Sequence, residues 1–123
     1  MFVKTLSDIL DTADHARGEA FESRRILLAR DDLGYSFHDT IVKAGSTQNL
    51  HYKNHIEANY CIEGQGEVEN AVTGQVWPLM PGTMYVLDQH DPHIIRAETD
   101  LRLICIFTPA LSGHERHDRD GSY

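Results

Sequence analysis

Short apolar runs, each followed by turn-forming residues, limit this chain to a β-rich fold more than any other feature of its sequence. Residues 23–29, 35–43 and 57–63 are rich in β-branched, aromatic and other apolar side chains, and Gly, Asp or Asn residues separate them. Further strands are predicted at 1–5, at 66–79 as a hairpin turning at Thr73–Gly74, and at 81–88, 93–97 and 101–109. Roughly eight to ten strands at this spacing predict an all-β sandwich or barrel.

Only one segment carries a helical signal. Residues 6–18 are predicted to form one or two short helical turns, with Ser7 as the N-cap. In 35–43, by contrast, the alternation is that of a strand, and one face of it holds Ser36, His38, Thr40 and Val42.

The composition predicts a single domain over residues 1–123, with the polar segment 110–123 as a C-terminal lid. A formal net charge of -8 and a pI near 5.3 argue against nucleic acid or an anionic membrane as a partner. The sequence has no signal-peptide pattern and no apolar run of membrane-spanning length, so a cytoplasmic location is expected. Cys61 and Cys105 lie in apolar stretches and are expected to be buried, reduced thiols.

Metal-capable side chains are crowded into "HYKNHIEANYCIEG", residues 51–64. Five residues in and before this stretch define a spacing pattern: Gly45, His51, Lys53, Glu57 and Gly64. This spacing resembles the first motif of the cupin family, except that Lys53 stands where a second histidine is expected. A cupin is a double-sheet jelly roll whose interior holds a metal or a small ligand. The resemblance therefore predicts a cupin-type jelly-roll barrel.

The second cupin motif has a counterpart in "GQVWPLMPGTMYVLDQ", where Tyr85 takes the place of the usual histidine. A lysine ammonium cannot be a metal ligand unless it is deprotonated, so Glu57 and Tyr85 are the donors that remain. We expect an antiparallel return across the following turn to bring His93 beside Tyr85. A divalent transition metal needs at least three such donors. From the residues alone, a metal site and a purely structural cluster both stay open.

Three longer stretches are similar to ectoine synthases: "HYKNHIEANYCIEGQGEVE", "WPLMPGTMYVLDQHDPHIIRA" and "CIFTPALSGHERHDRDGSY". The resemblance implies an enzyme that closes N-γ-acetyl-L-2,4-diaminobutyrate into the cyclic amidine ectoine with loss of water. It also implies a homodimer and an iron cofactor, Fe(II), with other divalent metals possible. The implied metal ligands are Glu57, Tyr85 and His93.

The same resemblance implies roles for nine further residues. It places substrate contacts at Phe21, Arg25, Thr40, Cys105 and Phe107, and catalytic groups at Tyr52, His55, Glu115 and His117. Phe21 stands where the family usually has a tryptophan, so stacking is kept but an indole N–H is lost. Arg25 is expected to bind the substrate carboxylate through two hydrogen bonds. The general base stays open among His55, Glu115 and His117, with Tyr52 as a relay.

Two other functions are compatible with a cupin fold. An iron-dependent dioxygenase would normally use a histidine-rich ligand set, which Lys53 and Tyr85 do not provide. A non-enzymatic cupin that binds a small molecule would not need Glu115 or His117. The cyclising hydro-lyase therefore remains the first prediction, and these two are its alternatives.

Overall fold

The structure is a computed structural model that describes residues 1–116 and residue 123, and it is almost entirely β. In the described residues the chain forms ten strands and two 3₁₀ turns, Leu6–Asp8 and Ala29–Asp31. The strands are β1 (His15–Arg17), β2 (Phe21–Leu27), β3 (Ser36–Val42), β4 (Thr47–Leu50), β5 (Ile56–Glu63), β6 (Gly66–Asn70), β7 (Val76–Leu79), β8 (Met84–Leu87), β9 (His93–Ala97) and β10 (Leu101–Thr108). The predicted all-β class is confirmed.

The strands form two antiparallel sheets. A six-stranded sheet has the order β1-β2-β3-β10-β5-β8, and a four-stranded sheet has the order β4-β9-β6-β7. Chain neighbours such as β3 and β4, or β8 and β9, lie in different sheets, so the chain crosses repeatedly between the two layers. This crossing pattern is that of a double-sheet jelly roll, which agrees with the predicted architecture.

The core lies between the two sheets and follows the alternation of the strands. In β10, every second residue from Leu101 to Phe107 is buried, and in β5 the buried positions are Glu57, Asn59 and Cys61. β10 pairs with β3 on one side and with β5 on the other, so it is a central strand of its sheet. Both cysteines are free and buried, as predicted. The polar members of the β5 face mark where the core gives way to a functional site.

One turn that borders the core requires glycine. Gly64 has φ +91°, and an added Cβ would lie 2.0 Å from the Asp100 carbonyl oxygen. No L side chain fits there without displacing the backbone of the next turn. The glycine that closes the cupin-like spacing therefore has a local steric reason to be glycine.

The N-terminal predictions need correction. Residues 1–5 form no strand, and Met1 and Val3 are highly exposed, because no neighbouring strand offers them a hydrogen-bonding edge. Ser7 is not the N-cap: Thr5 takes that place, and its backbone N–H donates to the Asp8 carboxylate at 2.8 Å. β1 lies inside the segment that was predicted to be helical, since its backbone pairs with β2. In the described residues, no helix is long and apolar enough to cross a membrane.

Candidate active site

The three predicted metal ligands come together between the sheets. Glu57 in β5 and Tyr85 in β8 belong to adjacent strands of the six-stranded sheet, and His93 begins β9 in the other sheet. The rings of Tyr85 and His93 have centroids 6.4 Å apart. Glu57 and His93 are 5% and 1% exposed, so both side chains are shielded from solvent. The fold thus brings one carboxyl, one phenol and one imidazole into the same interior region.

The hydrogen bonding of His93 suits a metal ligand. Its Nδ1 lies 3.0 Å from the carbonyl oxygen of Asp91, and because a carbonyl only accepts, Nδ1 must be the protonated nitrogen. Nε2 is therefore the nitrogen with a lone pair, and it lies buried. Metal-binding histidines commonly have one ring nitrogen oriented in this way by a backbone carbonyl.

Burial makes the charged forms of Glu57 and Tyr85 unfavourable. It raises the pKa of Glu57 to about 8, against a smaller lowering by the Asn59 side chain. Burial, and then the nearby Glu57, raise the pKa of Tyr85 well above its usual range. The Tyr85 hydroxyl is buried and has no hydrogen-bond partner among the described residues. A divalent cation between these oxygens would reverse both effects, because it favours the anionic forms.

In the described part of the chain, no three His, Cys, Asp or Glu side chains gather around one point. The candidate set has only two side chains of these types, Glu57 and His93, and its third donor is the phenol of Tyr85. Lys53, the residue that replaces a cupin histidine, is exposed and lies outside this set.

Aromatic rings form a wall beside the predicted metal ligands. Tyr52 is 4% exposed, and its ring lies 5.7 Å from His93 and 5.2 Å from Phe107 between centroids. Tyr123 stacks on Tyr52 at 5.1 Å with an interplanar angle of 17°. Phe107 and Cys105 lie two residues apart on the inward face of β10, and both are buried.

His55 stands at the edge of this wall with a defined tautomer. Its Nδ1 lies 2.8 Å from the carbonyl oxygen of Pro109, so Nδ1 donates and Nε2 keeps its lone pair. The ring meets Phe107 edge-on at 6.0 Å between centroids. A neutral imidazole held in this way can accept a proton at Nε2.

A cavity of about 360 Å³ opens next to the aromatic wall, and four of its lining residues are Phe21, Arg25, Glu115 and Tyr123. Tyr123 also stacks on Tyr52, and Tyr52 contacts His93, so these rings connect the cavity with the region of the predicted metal ligands. Phe21 packs against Gly18, where an added Cβ would lie 2.5 Å from the Phe21 ring. The predicted substrate-binding aromatic therefore does line a space of ligand size.

Arg25 and Glu115 hold the C-terminal segment in place. The Arg25 guanidinium donates to the carbonyl oxygens of Gly113 at 2.8 Å and Glu115 at 3.1 Å. The Glu115 carboxylate accepts hydrogen bonds from the backbone N–H groups of Ser112 and Gly113. Burial acts to raise the pKa of Glu115, but these bonds outweigh it and bring the pKa to about 2. The predicted roles of Arg25 and Glu115 toward substrate stay predictions, and His117 lies outside the described residues.

Thr40 and Cys105 lie on neighbouring strands at the floor of the site. The Thr40 hydroxyl interacts with the Cys105 thiol, but burial raises the pKa of that thiol well above its usual range. Cys105 therefore stays a neutral thiol, which suits contact with substrate rather than nucleophilic attack.

Two polar residues of this region were not among the predicted site residues, His38 and Asn59. Both are buried, at 1% and 2% exposure, and both face inward from central strands. Each is a Cα partner of Cys105, on opposite sides of β10. The signal was strand parity: His38 shares the inward face with Thr40, and Asn59 shares it with Glu57.

Because His38 is buried, we expect the free energy of unfolding to depend on pH. Its Nε2 lies 2.9 Å from the Ser36 hydroxyl, and burial, with Arg25 nearby, lowers its pKa from 6.5 to about 3. Below pH 6.5 the His38 imidazole is therefore protonated in the unfolded chain, whereas it stays neutral in the folded protein. This should reduce the free energy of unfolding by about 2 kcal/mol between pH 7 and pH 5.

The matched variant is His38→Gln, which keeps a polar partner for Ser36 but cannot be protonated. Urea unfolding of both proteins at several pH values isolates the contribution of His38. We expect the difference in the free energy of unfolding between wild type and variant to change by about 2 kcal/mol between pH 7 and pH 5. A constant difference would contradict the buried, neutral imidazole.

Comparison with known structures first places the fold. A cupin domain of an XRE-family transcriptional regulator from Enterobacter cloacae superposes with a TM-score of 0.60 at 17% identity, covering 73% of this chain and 97% of that chain. Together with the two antiparallel sheets, this shows that the chain has a cupin fold.

The chain belongs to the ectoine synthase family, because the family model for ectoine synthase matches residues 1–123. An L-ectoine synthase from Oceanobacillus iheyensis is 57% identical over 123 residues, covering 100% of this chain and 96% of the relative. The crystal structure of ectoine synthase from P. lautus has a TM-score of 0.92 and 47% identity, covering 98% of this chain and 87% of that chain. The predicted enzyme class, a hydro-lyase, is confirmed by these relatives.

Proposed function

We propose that this ectoine synthase closes N-γ-acetyl-L-2,4-diaminobutyrate into ectoine with a divalent metal, Fe(II), held by Glu57, Tyr85 and His93. One observation carries the proposal: the three side chains approach each other from both sheets, inside the sandwich and beside an aromatic-walled cavity. Other divalent metals can use the same donors, because carboxylate, phenolate and imidazole are not selective ligands.

The donor set fits such a cation in charge as well as in position. Two anionic oxygens would balance a divalent charge, and the buried Tyr85 hydroxyl would gain the partner that the described residues do not give it. His93 is already oriented by Asp91. When bound, the metal would act as a Lewis acid toward the carbonyl oxygen of the acetyl group.

The chain's own residues supply the remaining requirements. The substrate must be held folded so that its amine meets the amide carbon, and such orientation can remove roughly 7–11 kcal/mol of barrier. Phe21 and Arg25 line the cavity where the substrate would lie. In the present geometry Arg25 binds backbone carbonyls of the tail. We propose that the substrate carboxylate displaces one of these carbonyls.

Proton transfer is assigned to His55. The attacking ammonium must lose a proton, and the departing oxygen must leave as water. His55 has an accepting Nε2 because Pro109 fixes its tautomer. Glu115 is a weaker candidate, since a carboxylate whose pKa is about 2 is a poor base. Tyr52 lies between His93 and Tyr123 and suits a relay or a packing role.

The aromatic wall favours loss of water. Tyr52 and Phe107 are both 4% exposed, and Tyr123 covers them from the side of the tail. Excluding water strengthens each electrostatic contact and opposes hydrolysis of the ring. The described part of the segment 110–123 thus acts as a lid over the site. We further propose that residues 1–123 form one cupin domain and that the enzyme is cytoplasmic.

The outer face of the six-stranded sheet supports the proposed homodimer. Tyr60, Met84, Val86 and Ile106 are 48%, 58%, 43% and 38% exposed, and they lie on three adjacent strands. An apolar sheet face of this kind is suited to a second copy of the chain. Sedimentation equilibrium of the purified protein should therefore give twice the monomer mass, and a monomer would remove this part of the proposal.

The deciding experiment is anaerobic incubation of the Fe(II)-loaded protein with N-γ-acetyl-L-2,4-diaminobutyrate, followed by proton NMR. Ectoine should form at the same rate with and without oxygen. A requirement for oxygen would favour the dioxygenase alternative. Binding of the substrate without any turnover would favour the non-enzymatic cupin. The metal-free protein, prepared with a chelator, is the control.

A further inference from the structure

Asn59 is a buried polar residue that none of the proposed roles uses. It is 2% exposed and lies in β5, two residues from Glu57 on the same inward face. Its Cα partners across the sheet are Tyr85 in β8 and Cys105 in β10. It therefore sits between one proposed metal ligand on its own strand and another on the next strand.

The side-chain nitrogen of Asn59 is incompletely bonded. Nδ2 is buried and makes no hydrogen bond of normal length and angle to any residue that the structure describes. Buried amide donors are almost always satisfied in folded proteins, so this one needs an explanation. The Glu57 carboxylate, two residues away on the same inward face, can accept this hydrogen bond when it is reoriented.

The alternative explanation is packing, and the surroundings argue against it. The next inward residue on β5 is Cys61, and the cross-strand neighbour of Glu57 is Leu87, both buried and apolar. An apolar side chain would fill the position of Asn59 without leaving a donor unbonded. An amide here is useful when a charged acceptor is held next to it.

We propose that Asn59 is a positioning residue of the active site, whose Nδ2–H donates to the Glu57 carboxylate and fixes its orientation toward the bound cation. The inference rests on the proposed metal site. Residues that orient a metal ligand in this way typically contribute roughly 10- to 100-fold to metal affinity. Asn59 does not itself need to touch the metal or the substrate.

A matched pair of variants tests the donor directly. Asn59→Val and Asn59→Thr have the same shape and suit a β-strand, but only threonine keeps a hydrogen-bond donor. The readout is the dissociation constant for Co²⁺ added to metal-free protein, followed by calorimetry and by the visible absorption of the bound ion. We expect Asn59→Val to bind Co²⁺ roughly 10- to 100-fold more weakly than wild type. Asn59→Thr should recover most of that loss.

Two controls separate this inference from the metal site on which it rests. Asn49→Val, an exposed position in β4, should leave Co²⁺ binding unchanged. Glu57→Ala should abolish Co²⁺ binding; if it does not, the metal site itself is wrong. If Glu57→Ala abolishes binding while Asn59→Val binds as tightly as wild type, only the role of Asn59 is overturned.

Equal weakening of Asn59→Val and Asn59→Thr would also overturn the donor role. Circular dichroism and thermal unfolding of the metal-free proteins establish that each variant is folded. Should Asn59→Val not fold, Asn59→Ala and Asn59→Ser provide the same comparison with smaller side chains. Serine must then bind Co²⁺ more tightly than alanine for the proposal to stand.

Discussion

Replacing Glu57 with alanine should abolish metal binding and ectoine formation together. Glu57 is the one carboxylate among the three proposed ligands, and its side chain is buried between the sheets. Lewis-acid stabilisation by a metal contributes several kcal/mol, so its loss should reduce kcat by a factor on the order of 10³ or more. The measurements are Fe(II) binding by anaerobic calorimetry and turnover by proton NMR.

Loss of the fold is not the expected cause of this effect. Burial raises the pKa of Glu57 to about 8, so in the metal-free protein at pH 7 this carboxyl is mostly neutral. Its replacement by alanine removes a buried polar group and leaves a small cavity. We therefore expect the metal-free variant to have a thermal unfolding midpoint close to that of metal-free wild type.

The matched control is Glu63→Ala. Glu63 lies at the other end of the same strand, with a 64% exposed side chain that pairs with Arg102. Its removal should change neither Fe(II) binding nor turnover. If Glu57→Ala retained stoichiometric iron and full turnover, the three-ligand site would be refuted.

Much of the fold was predictable because its central strands alternate cleanly. β10 places apolar residues at every second position, and β3 and β5 are rich in β-branched, aromatic and other apolar side chains; turn residues follow each of the three. The short strand β4, "TQNL", was missed because a polar edge strand has little apolar periodicity. Residues 1–5 were wrongly predicted as a strand, since local propensity cannot show whether a pairing partner exists.

The proposed metal ligands were predictable only in part. Spacing identified Glu57 and Tyr85, but the antiparallel return expected to bring His93 beside Tyr85 is wrong, because the chain instead crosses to the other sheet before His93. The proximity of His93 to Tyr85 depends on the crossing of the chain between β8 and β9. The likeness to ectoine synthases supplied the missing assignment.

The inward polar residues His38 and Asn59 show a different limit. In the sequence each looks like an ordinary strand residue, because polar side chains are normal on the solvent face. Strand parity places each of them on the face of a predicted site residue, and the register against β10 shows that this face points into the core. Likewise, Arg25 was predicted to bind the substrate carboxylate. The sequence does not indicate that its guanidinium donates to the backbone carbonyl oxygens of Gly113 and Glu115.

Asp39→Ala should cause the largest loss of stability that this structure predicts. Asp39 projects from the outer face of β3, yet it is only 4% exposed because two arginines cover it. Arg102 donates to both carboxylate oxygens at 3.0 and 2.6 Å, and Arg24 donates to one of them at 2.7 Å. The carboxylate thereby connects β2, β3 and β10.

Removing Asp39 leaves the 6% exposed Arg24 buried without its counter-charge. Breaking a buried ion pair from one side typically costs about 3–5 kcal/mol, because the remaining charge is uncompensated. For a chain of this size the thermal unfolding midpoint should fall by roughly 10–20 °C. Glu67→Ala is the control: its pairing with Arg96 is exposed, and its loss should change stability by less than about 1 kcal/mol.

At acidic pH the free energies of unfolding of wild type and Asp39→Ala should become more similar. Burial acts to raise the pKa of Asp39, but its bonds to Arg102 and Arg24 outweigh this and lower it below 3.8. The stabilisation is therefore complete above pH 3.8 and is lost as the pH falls through the folded-state pKa. Urea unfolding at a series of acidic pH values measures the change. A difference that stays constant below pH 3.8 would contradict the ionic origin of the effect.

A second variant tests whether the unpaired Arg24 charge causes the loss of stability in Asp39→Ala. Replacing Asp39, Arg24 and Arg102 together with leucine removes the whole network and leaves no buried charge. Such a replacement of a buried ion network by apolar residues is often neutral or stabilising. We therefore expect the triple variant to be more stable than Asp39→Ala alone. If it is equally unstable, the three side chains stabilise the sheet through specific hydrogen bonds rather than by neutralising one another.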